Sequence, residues 1–554
     1  MTGVETVKVQ DLAGAAVNLA NATGVTKLVA ANSTAQTTFN NVDAIADVEV
    51  NGGAGMTVAY DAAVVAGLTD AQNVAVNGAT GTVNVAGVET FNVAATGANT
   101  LTLANDGDTV NVSGEGSVAF GGTLNVTTLD ASANTGGVTA TIGAGNVAVT
   151  GGAGNDTFSF GAGLTAAATG VPGDVVDGGE GTDTVRVTTS GNLQTAASAA
   201  PFNSLTSVER VAFDGNGVQL NGSTFNNAAI TNIEFNTTGA DIINNAGSAR
   251  MYEFGDANTG SATFNMSGTN TTLNLVMLGT EGTAAANDGA DADVGTVVVN
   301  LAATAPAGTL ATINIDSQGD LADDGAAGNT NEVGAITAVA GSTINISGAG
   351  NLDLDGLANR GIIDASTATG NLVLEGSDFV QFVAANPGAT PPVAGVDFVS
   401  GADTITLGAG SDTIQFGSGL ASGVANSDTA ATNTNTDLQV DVVNSFTAGL
   451  GGDVLDFTGG AAGDSDYTAL VASAQTAIDA LSGAGATLQA AANIATNAIV
   501  QDGVFAGEWS AFTFQGQSYA VYDATTGGNF DDANDLLVQI TGVNVADLTD
   551  ANFA

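Results

Sequence analysis

The residues best placed to do chemistry in this sequence are aspartates held at a fixed distance from glycines. A nine-residue register starts successively at Ile142, Gly151, Phe160, Thr169 and Gly178. Its second position is Gly143, Gly152, Gly161, Gly170 and Gly179, and its fourth is Gly145, Gly154, Gly163, Pro172 and Gly181. The sixth is Val147, Asp156, Thr165, Asp174 and Asp183; the eighth is apolar throughout, as Val149, Phe158, Ala167, Val176 and Val185. Glycine permits positive φ, and with it a turn tight enough to aim several carbonyl oxygens at one point. The aspartate adds a hard, charged oxygen, and the apolar eighth residue marks a short strand with its side chain inward. Such oxygens suit calcium, which takes roughly six to eight of them at about 2.3–2.6 Å, more than one turn supplies. Two stacked turns would complete the shell. Turns alternating between opposite edges of a flattened coil would place partners two registers apart, pairing Asp156 with Asp174 and Asp183 with Thr165. The alternative is that the Gly-Asp turns cap strands without metal.

A second block begins at Phe398 and reads FVSGADTIT, LGAGSDTIQ and FGSGLASGV. Its turn positions are Gly401 and Asp403, then Gly408, Gly410 and Asp412, then Gly417 and Gly419, with Ile405 and Ile414 at the apolar eighth. GGAGNDTFS at Gly151 and GGEGTDTVR at Gly178 have the form GGxGxD followed by x, an apolar residue and x. In this they resemble the calcium-binding repeats of the RTX (hemolysin-type) family. The resemblance implies a parallel β-roll that folds as calcium binds, and export by type I secretion. Carried over by position, the liganding turns would be Gly152 to Asp156, Thr169 to Asp174, Gly179 to Asp183, Ser400 to Asp403 and Gly408 to Asp412. Val147 and Thr165 depart from the motif, which leaves sites on their edge in doubt.

The C-terminal part adds to the resemblance. DVVNSF from Asp441 and GDVLDF from Gly452 look like the strand phrase that closes RTX regions. Trp509 to Ala554 resembles the C-terminal regions of type I-secreted surface and S-layer proteins, whose secretion signal is C-terminal and uncleaved. There, Asp531 and Asp535, together with Asp523 and Asp532, either hold another calcium or form an acidic loop. Asp288, Asp291 and Asp293, and Asp316, Asp320, Asp323, Asp324 and Glu332, are similarly ambiguous between irregular calcium loops and solvated ones.

The elements that must position these turns are short strands. Thr82–Val85, Leu101–Leu103, Thr109–Val112, Thr312–Ile315 and Asn351–Leu354 alternate apolar residues with Thr, Asn or Asp, a period of two that buries one face. An apolar-Glu phrase recurs at Val4-Glu5, Val48-Glu49, Val88-Glu89, Val208-Glu209 and Ile233-Glu234, hinting at a looser, longer repeat. The spacing of Leu470, Ala474, Ile478 and Leu481 predicts helix within Tyr467–Ile499, broken near Gly483 and Gly485. Stretches 284–295, 316–332 and 384–396 read as excursions from the β scaffold. The expected fold is therefore all-β: an elongated parallel β-solenoid or β-roll with further β units and a small helix-containing C-terminal region. The segmentation is 1–141 (β-repeat region), 142–190 (first calcium block), 191–397 (β-rich repeats with loop insertions), 398–458 (second calcium block) and 459–554 (C-terminal domain).

Composition narrows function. Across 554 residues, 56 acids stand against 6 bases, a net charge of −50. Nucleic acid is excluded as a partner, because no basic footprint exists to neutralise phosphates. Self-repulsion on that scale opposes compaction unless counterions bind, although acidity also serves solubility. The chain has no Cys and no His, which removes disulfides, thiolate metals, His-dependent triads and ordinary zinc hydrolase sites. A paired-carboxylate glycosidase remains chemically possible, but Lys8, Lys27, Arg186, Arg210, Arg250 and Arg360 are scattered and Trp509 is the single tryptophan. No transmembrane helix or cleavable signal peptide is recognisable, and no catalytic activity is expected. The expectation is a secreted, cell-surface structural protein that binds several Ca2+ ions and assembles with itself, as an S-layer subunit or surface fibre. A calcium-dependent adhesin or biofilm matrix protein, touching cell-surface polysaccharide, is the alternative.

Overall fold

A computed structural model describes the chain except for residues 1–2, 15, 162, 168–172, 189–191, 256–257, 279–291, 307–308, 319–330, 340–341, 355–356, 359–361, 377–403, 410, 417–439, 458–466, 483–485, 502–507, 524–529, 531–534 and 554. The described residues are mostly strand, with few helices. They divide into two compact units, Met1–Thr237 and Thr238–Ala554.

In the first unit, alternation is written directly into burial. Along Thr109–Gly114, Val110 and Val112 are buried while Thr109 and Asn111 are only partly so. From Thr90 onward, consecutive strands join different ladders and every second strand pairs in parallel, whereas Thr37–Val42, Asp47–Tyr60, Ala71–Val85 and Thr90–Thr96 pair in succession, also in parallel. One ladder runs through Thr90–Thr96, Thr109–Gly114, Thr128–Asn134, Ala148–Thr150 and Val175–Asp177. The other runs through Ala98–Leu103, Ser117–Leu124, Val138–Ile142, Thr157–Phe160, Thr184–Val187, Arg210–Gly215 and Asn232–Thr237. The buried positions are filled by apolar side chains from Ala to Phe, such as Leu129, Val118, Ala140 and Phe158. Outward amides hydrogen bond from one return of the chain to the next: Asn111 Nδ2 donates to Asn92 Oδ1 at 2.8 Å across 19 residues, and Asn92 Nδ2 to Asn73 Oδ1 at 3.0 Å. The abundance of Asn thus follows from parallel, in-register strands, which bring like side chains together.

The second unit carries three parallel ladders. Thr272–Leu278, Thr312–Gln318, Thr343–Gly348, Ile362–Ala368, Thr404–Thr406 and Asp441–Asn444 form one. Ala240–Ala246, Ser261–Met266, Val297–Asn300, Ile336–Thr337 and Leu357–Ala358 form another. The third comprises Asp293–Val294, Asn331–Val333, Leu352–Leu354, Leu372–Gly376, Thr413–Phe416 and Val454–Phe457. Pairing turns antiparallel at the end, where Glu508–Phe514, Gln517–Asp523 and Leu536–Ile540 form a meander whose last strand joins Asp441–Asn444 in parallel. The two helices, Ala472–Asp479 and Leu488–Gln501, lie on either side of Gly483–Gly485, where the apolar spacing predicted them. They bury Ile478, Ala491, Ala495 and Ile499 against Phe512 and Val521 of the meander. The excursions expected at 284–295, 316–332 and 384–396 fall largely outside the described residues, with strands at the margins of the first two.

Candidate metal centre

Two turns of the first block connect strands that are themselves in register. Residues 151–156 link Ala148–Thr150 to Thr157–Phe160, and residues 178–183 link Val175–Asp177 to Thr184–Val187. Because Ala148 pairs with Val175 and Thr157 with Thr184, the two turns must stack. Gly179 and Gly181 adopt φ of +100° and +124°, which an L side chain resists. Gly152 and Gly154 serve close approach instead, since a Cβ would collide with the Asn134 carbonyl at the first and with Gly137 backbone at the second.

This stacking places the two motif aspartates one above the other. Asp156 and Asp183 are each only 1% exposed. Asp156 accepts the Val138 N–H on Oδ1 at 2.6 Å and the Gly152 N–H on Oδ2 at 2.7 Å. Asp183 accepts the Asp156 N–H on Oδ1 at 2.8 Å, across 27 residues, while its Oδ2 is buried without a hydrogen-bond partner. Burial pushes the Asp156 carboxyl above its ordinary value, opposed by the Gly152 and Val138 N–H groups. Burial also pushes Asp183 up to about 7; the Asp156 N–H opposes this, and the nearby charges of Asp156, Glu209 and Asp177 add to it.

The expected pairing of Asp156 with Asp174, and of Asp183 with Thr165, is corrected by this geometry. Asp174 lies on the other ladder, where its Oδ1 accepts the Val147 N–H at 3.1 Å. Its Oδ2 takes the Thr165 N–H at 2.8 Å and the Thr165 hydroxyl at 2.9 Å, a bond across 9 residues. The reason is the connection between Phe160 and Val175. Two nonapeptides are spent in that single excursion, so this return of the chain spans three registers instead of two.

The second block repeats the arrangement with a partner that motif spacing did not reveal. Asp412 and Asp453 are both fully buried. Asp412 Oδ1 accepts the Leu372 N–H at 3.1 Å, and the Asp412 N–H donates to Asp453 Oδ1 at 3.0 Å, across 41 residues. Asp453 Oδ2 takes the Thr447 N–H at 2.7 Å, whereas Asp412 Oδ2 makes no hydrogen bond of ordinary geometry. Burial and then the charge of Asp453 push Asp412 up to about 6, against the pull of the Leu372 and Gly408 N–H groups. Burial raises Asp453 as well. Gly408 packs where a Cβ would collide with the Ala368 carbonyl. The signal that could have found Asp453 was its place before the apolar strand VLDF, one residue ahead of it as Asp412 is ahead of TIQF.

Gly170, Gly401, Asp403, Gly410, Gly417, Gly419 and Asp531 lie outside the described residues. So do Asp288, Asp291, Asp320, Asp323, Asp324 and Asp532, while Asp293, Asp316 and Glu332 sit in strands. Asp535 is fully buried, just before Leu536–Ile540 and next to the rung that joins Leu536 to Tyr522. Among the described residues no three acidic side chains converge on one point. A cation in these turns would therefore draw on backbone carbonyls as much as on carboxylates. The donor set fits calcium: every group is a hard oxygen, Asp183 Oδ2 lacks a hydrogen-bond partner and lies beside the Ser207 carbonyl, and Asp412 Oδ2 makes no hydrogen bond of ordinary geometry.

Other groups are already engaged. Arg186 holds Asp214 and Glu234, each at 2.7 Å, and Lys27 pairs with Glu49. Trp509 is fully buried against Tyr522 and Phe553, so its face is not a platform for stacking sugars. Among the described residues no helix is long and apolar enough to cross a membrane. Neither a protein-family model nor a curated protein matches this chain.

Proposed function

We propose that this chain is an extracellular structural protein, stabilised by calcium and self-assembling, of the kind that forms an S-layer lattice or surface fibre. In this reading the parallel ladders within each unit are successive coils of a solenoid, and each unit carries glycine-aspartate turns that form an RTX-like roll. The observation that carries the proposal is the recurrence of one device in two separate blocks. Asp156 with Asp183, and Asp412 with Asp453, each form a stacked, buried pair joined by a backbone N–H; Asp183 Oδ2 has no hydrogen-bond partner, and Asp412 Oδ2 makes no hydrogen bond of ordinary geometry. A buried carboxylate without a full set of partners is costly. A chain of net charge −50 that places such groups in its interior has a strong electrostatic reason to take up divalent cations. Bound cations would lower the repulsion within each chain and between neighbouring chains, which couples folding to assembly.

The test is a calcium titration of metal-stripped protein, followed by circular dichroism and light scattering, with electron microscopy at the end point. Calcium should increase strand signal and then scattering, and ordered sheets or filaments should appear. A stripped sample that keeps full strand signal and assembles unaided would overturn the reading. Dispersed, calcium-folded particles would favour the adhesin alternative.

A further inference from the structure

We infer that a further divalent-cation site lies one coil beyond the recognisable repeat, between the turn Gly178–Asp183 and the segment Thr206-Ser207-Val208-Glu209. That segment contains neither glycine nor aspartate, and no motif marks it. Its backbone nevertheless repeats the turn above it. Gly151 N–H donates to the Asp177 carbonyl at 2.7 Å; one coil on, Gly178 N–H donates to the Thr206 carbonyl at 2.9 Å. Ser207 adopts φ of +48°, the left-handed region that glycine usually occupies.

The oxygen positions repeat as well. A Cβ on Gly151 would collide with the Gly178 carbonyl oxygen and with Asp156 Oδ2. A Cβ on Gly178 would collide with the Ser207 carbonyl oxygen and come within 2.5 Å of Asp183 Oδ2. Ser207 O therefore stands to Asp183 as Gly178 O stands to Asp156. The carboxylate stack continues in step: Asp156 N–H donates to Asp183 Oδ1 at 2.8 Å, and Asp183 N–H donates to Glu209 Oε2 at 2.9 Å. One difference singles out the downstream position. Asp156 Oδ2 is satisfied by the Gly152 N–H, whereas Asp183 Oδ2, on a residue 1% exposed, has no hydrogen-bond partner.

An unpartnered buried carboxylate oxygen, a carbonyl oxygen beside it and a second carboxylate at Glu209 form a hard, anionic donor set. It suits a calcium-type cation that completes its shell with water, and it offers nothing to a thiophilic metal. Glu209 then joins the calcium-binding region although it lies 26 residues past the last motif aspartate. This inference rests on the reading that the chain binds calcium.

The experiment is calorimetric titration of calcium chloride into the full, metal-stripped chain and into Glu209→Gln, Asp183→Asn and Glu180→Gln. Glu180 is an exposed acid of the same turn and controls for general charge. Gln at 209 keeps a carbonyl to accept the Asp183 N–H, so the stack survives while the charge is removed. The expected result is that Glu209→Gln loses one bound ion, or weakens one by at least about tenfold, since ligand charge sets calcium affinity. Glu180→Gln should match wild type. Wild-type binding in a folded Glu209→Gln, with an ion lost in Asp183→Asn, overturns the inference and leaves the general calcium reading standing. Absence of calcium uptake by the wild type overturns both. If circular dichroism shows Glu209→Gln to be misfolded, Glu209→Ala decides by the same criterion.

Discussion

Asp183→Asn should stabilise the metal-free protein at alkaline pH while removing much of its response to calcium. Burial pushes the Asp183 carboxyl well above the usual carboxylate range, up to about 7. A raised carboxyl pKa means that the fold holds a proton the unfolded chain has released. Stability from this group is therefore complete below the unfolded pKa and is lost as pH rises towards about 7. A displacement of this size corresponds to a loss of about 4 kcal/mol above pH 7 in the absence of metal. An asparagine cannot ionise, keeps an oxygen for the Asp156 N–H, and adds an amide that can donate to the Ser207 carbonyl close by. The assay is urea unfolding of wild type and variant at pH 5 and pH 8, each with chelator and with excess calcium. With chelator, the wild type should lose stability between the two pH values and the variant should lose about 3 kcal/mol less. With calcium, the wild type should recover and the variant should gain little. A variant equally destabilised at both pH values under chelator would refute the burial argument, and one fully rescued by calcium would refute Asp183 as a ligand.

The other outcomes follow from the same geometry. Asp156→Asn and Asp183→Asn should be non-additive in calcium affinity because the two residues share a stack, whereas Asp156→Asn and Asp174→Asn should add, which calorimetric double-mutant cycles would measure. Asp412→Asn together with Asp453→Asn should abolish a calcium-dependent rise in Tm without altering the first block; an unchanged rise would remove the second block from the candidate sites. Gly178→Ala should cost about 2–4 kcal/mol, seen as a lower Tm, because its Cβ would meet the Ser207 carbonyl, a backbone atom that has little room to move. Phe158→Ala, at a fully buried rung between Ala140 and Val185, should cost about 3–5 kcal/mol in chelator and calcium alike, which separates core loss from metal loss.

Much of this was legible in the residues. The period of two in Thr109–Val112 fixed which side chains are buried, and the phase of glycine and aspartate singled out Asp156, Asp183 and Asp412 as candidates, all of which the fold buries. The helices at Ala472–Asp479 and Leu488–Gln501 were equally visible, because helical spacing and its glycine interruption are local properties. What stayed hidden depends on how far the chain travels before it returns. A nonapeptide phase says that turns recur but not how many registers make one coil, and the excursion from Phe160 to Val175 shifted Asp156 from Asp174 to Asp183.

Asp453 and Glu209 escaped for a related reason. Each takes its place from the parallel register of the strand that follows it, Val454 beside Thr413 and Arg210 beside Thr184, and not from a motif of its own. The sequence by itself determined the chemistry: hard oxygens, tight turns, thin strands and an unbalanced negative charge. Tertiary structure alone decided which oxygens meet, because partners separated by 26, 27 and 41 residues are joined by backbone pairing across coils, and no short-range pattern encodes that distance.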